Sequence, residues 1–471
     1  MIIKIKSKEL ICFFLLCFLV FSHWSKIRAA EEITLEDAIA WGLNHSPSLL
    51  DFKDNVEKVE RQLVKIKAGL NWQADLTGNL AASNQGSSSI APNLNQEKAH
   101  LEVGLQGSKA FFGGLSIGPK LSLKKEITEA EDNPELGFSF NVTQKLYPWT
   151  PSSEEKEYYV TLNTLKKAED NLKWQAETKK LDWLEGYLNL LRLREKVKVA
   201  EEQYFLAQND FDLISQRQQI GEAGRQQVLA EQVRLKQAEY NLKQAENNFN
   251  EEEKLWSWEL GLPIASKVKL VEENIYFQQI KAELATLTVA WSDSVQLMSM
   301  VDKNHYQLAA KRLDRKQLRE EWGWKKDEKK PAVTTGGTYN YPGKEWKLNL
   351  NLAYNFWDGG VRKLENEDYQ AQLNSLEREY QNLTENLHNQ LRKLLNQVDL
   401  AKLQLEEKNL YCQKITLEKE IYQQQLAAGL ITKKEWVEKS VEYRNAEISI
   451  KEAEDKVFLS KLRVLHFIGM I

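Results

Sequence analysis

Two hydrophobic periods alternate along this chain, and each of them occurs twice. In residues 346–356 the apolar Trp346, Leu348, Leu350, Leu352, Tyr354 and Phe356 alternate with Lys347, Asn349, Asn351, Ala353 and Asn355. In residues 136–143, Leu136, Phe138, Phe140 and Val142 alternate with Gly137, Ser139, Asn141 and Thr143. A period of two with one apolar face predicts strands. Further strands are predicted over 72–80, 101–105, 115–123 and 333–341, four in the first half of the chain and two in the second. Pro119 lies on the apolar face of one of them, and a residue that cannot donate to a ladder demotes that strand to an edge or an extension. The Gly/Ser/Asn-rich run 83–95 and the acidic stretch 129–134 read as loops.

After Pro151 the period becomes helical. Residues 153–219 contain no proline and one glycine, Gly186, which at ~1.5 Å per residue predicts a helix on the order of 100 Å long. Its counterpart over 361–427 carries Leu387, Leu391, Leu394, Val398, Ala401 and Leu405, steps of four and three that define a coiled-coil seam. Leu181, Leu184, Leu188 and Leu191, then Tyr204, Ala207, Phe211 and Ile214, do the same in the first half. Helices over 225–260 and 433–467 return after glycine-marked reversals and are about half as long. Shorter helices are predicted over 34–44, opened by Thr34 and Asp37, over 48–70, and from 284 through Asn304 and His305 to 324. The segments 48–70 and 306–324 have the length to cover what the return helices leave bare.

The halves are copies. A shift of 429 − 221 = 208 places Gly221 on Gly429, Trp149 on Trp357, Val233 on Val441, Glu239 on Glu447 and Gly261 on Gly469. Earlier in the chain the register is 337 − 78 = 259, with Gly78 on Gly337 and Leu49 on Leu308. The difference, 259 − 208 = 51, is the number of extra residues that the first copy holds between its first strand and its long helix. The expected organisation is a first repeat over 31–265, with an enlarged strand region at 71–148 and helices at 153–260. A second repeat follows over 266–471, with strands at 331–357 and helices at 361–468.

Residues 1–30 carry Lys4, Lys6 and Lys8, an apolar run over 10–21 and small residues at Ala29 and Ala30, the layout of a secretory signal peptide. Its Lys and Arg side chains exceed its one acid by 5 − 1 = 4, so the formal charge of −4 becomes −8 on its removal. Such a surface offers no basic footprint for nucleic acid. Cys412 is the only cysteine beyond it, which excludes an intrachain disulfide. In an exported chain, strands with one apolar and one polar or small face suit an outer-membrane barrel with lipid outside and water inside. A soluble sandwich gives the same alternation. Aromatic residues at the strand ends, Tyr147, Trp149, Tyr339, Tyr341, Trp346, Phe356 and Trp357, fit an interfacial belt. So few strands per copy cannot close a barrel, so their edges call for other subunits.

The opening Thr34-Leu35-Glu36-Asp37-Ala38 with Ser46-Pro47-Ser48-Leu49, the run Phe356-Trp357-Asp358-Gly359-Gly360 entering the long helix, and Gly429-Leu430 with Glu435-Trp436-Val437-Glu438 behind it resemble the TolC family of outer-membrane efflux channels. The resemblance covers essentially the whole chain after residue 30. It implies a mainly α fold with a β-barrel part, a homotrimer whose strands share one barrel in the outer membrane and whose coiled-coil helices form a periplasmic tunnel. The implied partners are a periplasmic adaptor, an inner-membrane pump and outer-membrane lipid, and the implied function is a passive, porin-like export duct for efflux or type I secretion. Under it, Phe138, Phe140, Val142, Trp346, Leu348, Leu350 and Leu352 face lipid. The reversals, with Gly221, Glu222, Gly224, Gly429 and Leu430, face the adaptor.

Glu435 and Glu438 are three apart at the start of a return helix and share a face. The residues alone allow them to be ordinary helix N-terminal carboxylates; the resemblance implies acidic rings at a channel constriction. The first copy has Gln227 and Ala230 there. No catalytic motif, cofactor signature or metal-ligand spacing is visible, so no enzyme activity is expected. A coiled-coil envelope spacer, which needs no amphipathic strands, and a periplasmic adaptor, which needs only one helical hairpin, are the competing classes.

Overall fold

The structure, a computed structural model, describes residues 33–84, 97–126, 134–263, 268–272, 275–286, 291 and 293–471. The expected signal segment and most of the loops over 83–95 and 129–134 lie outside them. The elements run α1 (Leu35–His45), α2 (Pro47–Gly69), β1 (Gln73–Asn84), β2 (Glu97–Phe111), β3 (Leu115–Glu126), β4 (Glu135–Tyr147), α3 (Ser153–Gln219), α4 (Arg225–Glu259), α5 (Ile275–Thr286), α6 (Ser294–Asn304), α7 (Tyr306–Glu328), β5 (Ala332–Tyr341), β6 (Glu345–Ala353), α8 (Val361–Ala427) and α9 (Lys433–Phe467). The fold is mainly α with one antiparallel sheet.

Local chemistry explains the boundaries. Thr34 Oγ1 accepts from the Asp37 amide at 3.2 Å to start α1, and Pro47 occupies the first position of α2, where its missing N–H costs nothing. Of the helical stretch expected from 284 to 324, the segment 306–324 is α7, and the part before it is broken into two helices. α5 ends at Thr286, and Asp293 starts α6 by accepting from the Gln296 amide at 3.0 Å. β6 ends at Ala353, short of the expected 356, because Ala353 pairs with Ala332, the first residue of β5, and no partner lies beyond.

The chain divides into two compact units, and α3 and α8 contribute to both. The unit built from residues 51–177, 290–397 and 463–471 holds the sheet, in the order β1-β2-β3-β4-β5-β6. β3 is not the edge or extension that Pro119 suggested: it pairs with β2 on one side and β4 on the other. The proline is accommodated because Gly107 stands opposite it. The β2–β3 ladder skips from Gln106–Lys120 to Lys109–Ile117, and a Cβ on Gly107 would sit 3.1 Å from Pro119 Cγ. In the same unit α7 runs antiparallel to the start of α3, marked by Lys167–Asp314 at 2.7 Å and by Lys156–Glu328. It is also antiparallel to the start of α8, marked by Lys311–Glu379 at 2.7 Å and by Trp322 stacked on Tyr369. Pairs this exposed stabilise little and serve here as markers of register. His305 is 3% exposed, with ring contacts to Trp174 and Phe467, and burial followed by the nearby His466 lowers its pKa to about 4.

The other unit, residues 1–50, 178–289 and 398–462 where described, is centred on Trp183, Tyr187, Leu190, Trp256 and Leu260, all at most 3% exposed. Gly42 and Gly186 permit this packing. A Cβ on Gly42 would lie 2.4 Å from Leu260 Cδ2, and one on Gly186 2.4 Å from Trp256 Cδ1. Trp256 Nε1 donates to the Trp183 carbonyl at 2.8 Å, which satisfies the buried indole. α9 runs antiparallel to the second part of α3, marked by Arg192–Asp455 at 2.8 Å and by Glu202–Arg444. Against α8 it places Lys439 3.0 Å from Glu418.

One close approach is repeated. Gly261 has φ +65° and a Cβ there would lie 2.3 Å from the His45 carbonyl oxygen; Gly469 has φ +73° and a Cβ there would lie 2.7 Å from Asn304 Cβ. Gly261 and Gly469 differ by 208, and His45 and Asn304 by 259, the two offsets found in the sequence. The same helix end meets the same helix end in each unit.

Candidate functional site

Three groups of residues have surfaces that the chain itself leaves open. The first is one face of the sheet. The register puts Phe138 opposite Tyr341, Phe140 opposite Tyr339 and Val142 opposite Gly337. It also puts Trp346, Leu348, Leu350 and Leu352 opposite Tyr339, Gly337, Thr335 and Val333. All seven residues expected to share a face therefore do share one. The four on β6 are 69–73% exposed, and the opposite face carries Lys347, Asn349 and Asn351. The outer edges of β1 and β6 have no strand partner among the described residues.

The second group is the pair of reversals. Gly221 (φ +82°) and Gly429 (φ +70°) end α3 and α8 in the same way. Glu222 N donates to Arg217 O at 2.8 Å and Leu430 N donates to Gln425 O at 2.9 Å, the six-to-one bond of a left-handed cap. A Cβ on either glycine meets nothing within 4 Å, so the backbone conformation, not packing, selects glycine. The next helices start alike. Gln227 Oε1 accepts from the Gly224 amide at 3.1 Å, and at the position 208 later Glu435 Oε2 accepts from the Thr432 amide at 2.7 Å and hydroxyl at 2.9 Å. Those two hydrogen bonds, the amide first, lower the pKa of Glu435. Glu435 is thus held in a capping box, while Glu438 is exposed one turn on. Leu430 is 75% exposed, and Glu222 is exposed as well.

Sequence reasoning missed the clamp beside these turns. Lys434 on α9 lies 3.0 Å from Asp210 on α3 and 3.1 Å from Glu231 on α4, tying three helices together. Nothing in the spacing of those residues pairs them. It also missed the third group, two exposed apolar stripes. On α8, Leu400, Leu403, Leu410, Leu417 and Ile421 are 51–65% exposed at steps of 3, 7, 7 and 4. On α4, Leu229, Val233, Tyr240, Leu255 and Trp258 are 50–70% exposed. The α8 heptad was legible, but the buried seam on the same helix drew the reading. Among the described residues no helix is long and apolar enough to cross a membrane, and no group of three His, Cys, Asp or Glu is placed to hold a metal ion.

Solved structures share this arrangement. The CmeC outer membrane channel of Campylobacter jejuni superposes with a TM-score of 0.64 over 92% of this chain and 85% of its own, at 12% identity. The outer membrane protein VceC of Vibrio cholerae gives 0.60 over 92% and 96%, also at 12% identity. The fold is that of the TolC-family outer-membrane channels. The MtrE outer membrane channel of Neisseria gonorrhoeae, in its open state, gives 0.58 over 92% and 88% at 11% identity. No protein-family model and no curated protein matches the chain by sequence. With identity this low, what carries the TolC-type fold here is the order of elements and the length of the paired helices.

Proposed function

We propose that the chain is the subunit of an outer-membrane export channel. The observation that carries this reading is a sheet with one exposed apolar face and two edges that have no strand partner among the described residues, on a chain of TolC-type fold. In water such a face would drive aggregation; in lipid it is the required surface. In lipid the unpaired edges would each cost several kcal/mol per group, so other copies must close the sheet. The stripes on α4 and α8 support the same association, because heptad-spaced apolar residues left exposed in one copy are those a coiled coil buries. The assembly is a homotrimer with its barrel in the outer membrane and its helices in the periplasm. Residues 31–265 and 266–471 are its two repeats, and the apolar face from Phe138 to Leu352 meets lipid.

The duct is passive. A periplasmic adaptor, meeting the turns at Gly221, Glu222, Gly224, Gly429 and Leu430, joins it to an inner-membrane pump that supplies the energy for efflux or secretion. Glu435 and Glu438, repeated by the three copies, form acidic rings at the constriction that favour cations. The capping box itself gives Glu435 the helix-starting role that Gln227 has in the first copy, and its lowered pKa keeps the carboxylate charged for a ring as well. A coiled-coil spacer would have no use for the apolar sheet face. Native mass spectrometry of the full chain extracted from membranes in detergent tests the reading: it should record three copies, and a monomer would contradict it.

A further inference from the structure

Relative to the second repeat, which supplies the single hairpin β5–β6, the first carries an additional one, β2–β3. The offsets locate it: β1 corresponds to β5 and β4 to β6, so the 51 extra residues are this hairpin and its connections. It is not an appendage. β2 pairs with β1 and β3 pairs with β4, so the hairpin lies inside the six-stranded order.

Its pattern matches its neighbours strand by strand. Leu121 stands opposite Phe138, Pro119 opposite Phe140 and Ile117 opposite Val142; Leu105 in turn stands opposite Leu121 and Val103 opposite Leu123. The apolar face that begins at Trp346 and Leu348 therefore continues across the hairpin, with Lys109 opposite Ile117 near the β2–β3 turn, to Leu76 and Leu80 on β1, which are 75% and 69% exposed. On the reverse face, Glu102 of β2 holds Lys120 at 3.3 Å and Lys124 at 3.9 Å. An extension standing clear of the membrane needs no apolar face flush with the lipid-facing one. Strands of 15 and 12 residues are also long enough to span the hydrocarbon layer.

We propose that the β2–β3 hairpin is part of the barrel wall, so that three copies close a barrel of 3 × 6 = 18 strands, where a chain with one hairpin per repeat would give 12. This rests on the trimeric channel reading. With strands ~4.8 Å apart and tilted ~40°, 18 strands enclose a backbone diameter of about 36 Å and 12 strands about 24 Å. Lining side chains, taken as about half of the ~10 Å inter-sheet spacing on each side, leave openings of about 26 Å and 14 Å. The wider opening passes cargo as thick as a pair of packed helices, each ~10 Å across. The outer-membrane end then imposes no size limit on a drug-sized molecule or an extended or helical polypeptide, and selection by size falls to the helical part.

Lipid contact tests this on the full-length trimer. Val103→Cys, Leu121→Cys and, as reference, Leu348→Cys are made separately in a Cys412→Ser background, labelled with a fluorophore and reconstituted in bilayers of brominated lipid. The sites are 39%, 39% and 73% exposed in the single chain, so each substitution removes at most part of a cross-strand contact. Quenching at 103 and 121 to the level seen at 348 is the expected result. Quenching at 348 with bright, water-accessible label at 103 and 121 would overturn the wide barrel and leave the channel standing. An unquenched label at 348 would overturn the channel reading itself, and the proposal with it. Electron cryomicroscopy of the same trimer should count 18 strands, and 12 would refute the proposal.

Discussion

Replacing Arg192 by methionine should destabilise the helical unit by about 3–5 kcal/mol, the cost of leaving a buried charge without its partner. Arg192 is buried, and its guanidinium reaches Asp455 at 2.8 Å, Glu272 at 2.9 Å and Glu195 at 3.3 Å. Lys451, 2.8 Å from both Glu195 and Glu272, keeps those two partnered after the substitution. The loss therefore falls on Asp455, whose side chain is 12% exposed and whose pKa burial already raises despite the arginine. Because a raised carboxylate pKa means the folded state holds its proton longer than the unfolded one, Asp455 costs stability as pH climbs from the ordinary carboxylate range through its folded pKa. Without Arg192 that window should widen upward. Urea titrations at a series of pH values measure both effects. The double variant Arg192→Met with Asp455→Leu should recover more than half of the loss and flatten the pH dependence. A double variant less stable than the single one would refute the argument that the uncompensated carboxylate carries the cost.

Other outcomes follow from the same structure. Leu403→Gln, Leu410→Gln and Leu417→Gln together should leave the single chain folded, because all three are about 60% exposed, yet weaken each subunit contact by roughly 3–6 kcal/mol; native mass spectrometry should then show dissociated subunits. His305 should make the fold acid-sensitive. Its folded pKa of about 4 lies below the ordinary value, so stability is complete above about pH 6.5 and is lost as pH falls toward 4, on the order of 2–3 kcal/mol, and His305→Ser, the residue at the matching Ser46, should flatten that dependence in thermal melts. Glu435→Gln with Glu438→Gln should relieve block of channel current by divalent cations, and since glutamine also closes a capping box the tip should stay folded; unchanged block in planar bilayers would remove the acidic rings.

The helices 153–219, 361–427 and 433–467 were legible to the residue, because capping residues and glycines bound long runs with no internal breaker. β2 was read as 101–105 and spans Glu97–Phe111, because its ends are held by ladders on both sides and not by any alternation of their own. Pro119 misled for a related reason: the glycine that accommodates it is twelve residues away in sequence and adjacent only in the sheet. No proline or glycine marks the break between α5 and α6, so the expected stretch from 284 runs across it. At the candidate site, the shared face of Phe138, Phe140, Val142 and the β6 residues was legible from period two, since strand pairing preserves sidedness. The Lys434 clamp to Asp210 and Glu231 was not, because ion pairs across helices more than 200 residues apart leave no local pattern.

The proposed channel requires that copies of this chain make a pore. Single-channel recording tests it most directly: the purified full-length protein is added to one side of a planar lipid bilayer in symmetric salt. Discrete, long-lived conductance steps that favour cations over anions are the predicted result. A preparation that is trimeric by mass and stably inserted, yet passes no current under any applied voltage, with or without chelation of divalent cations, would contradict it.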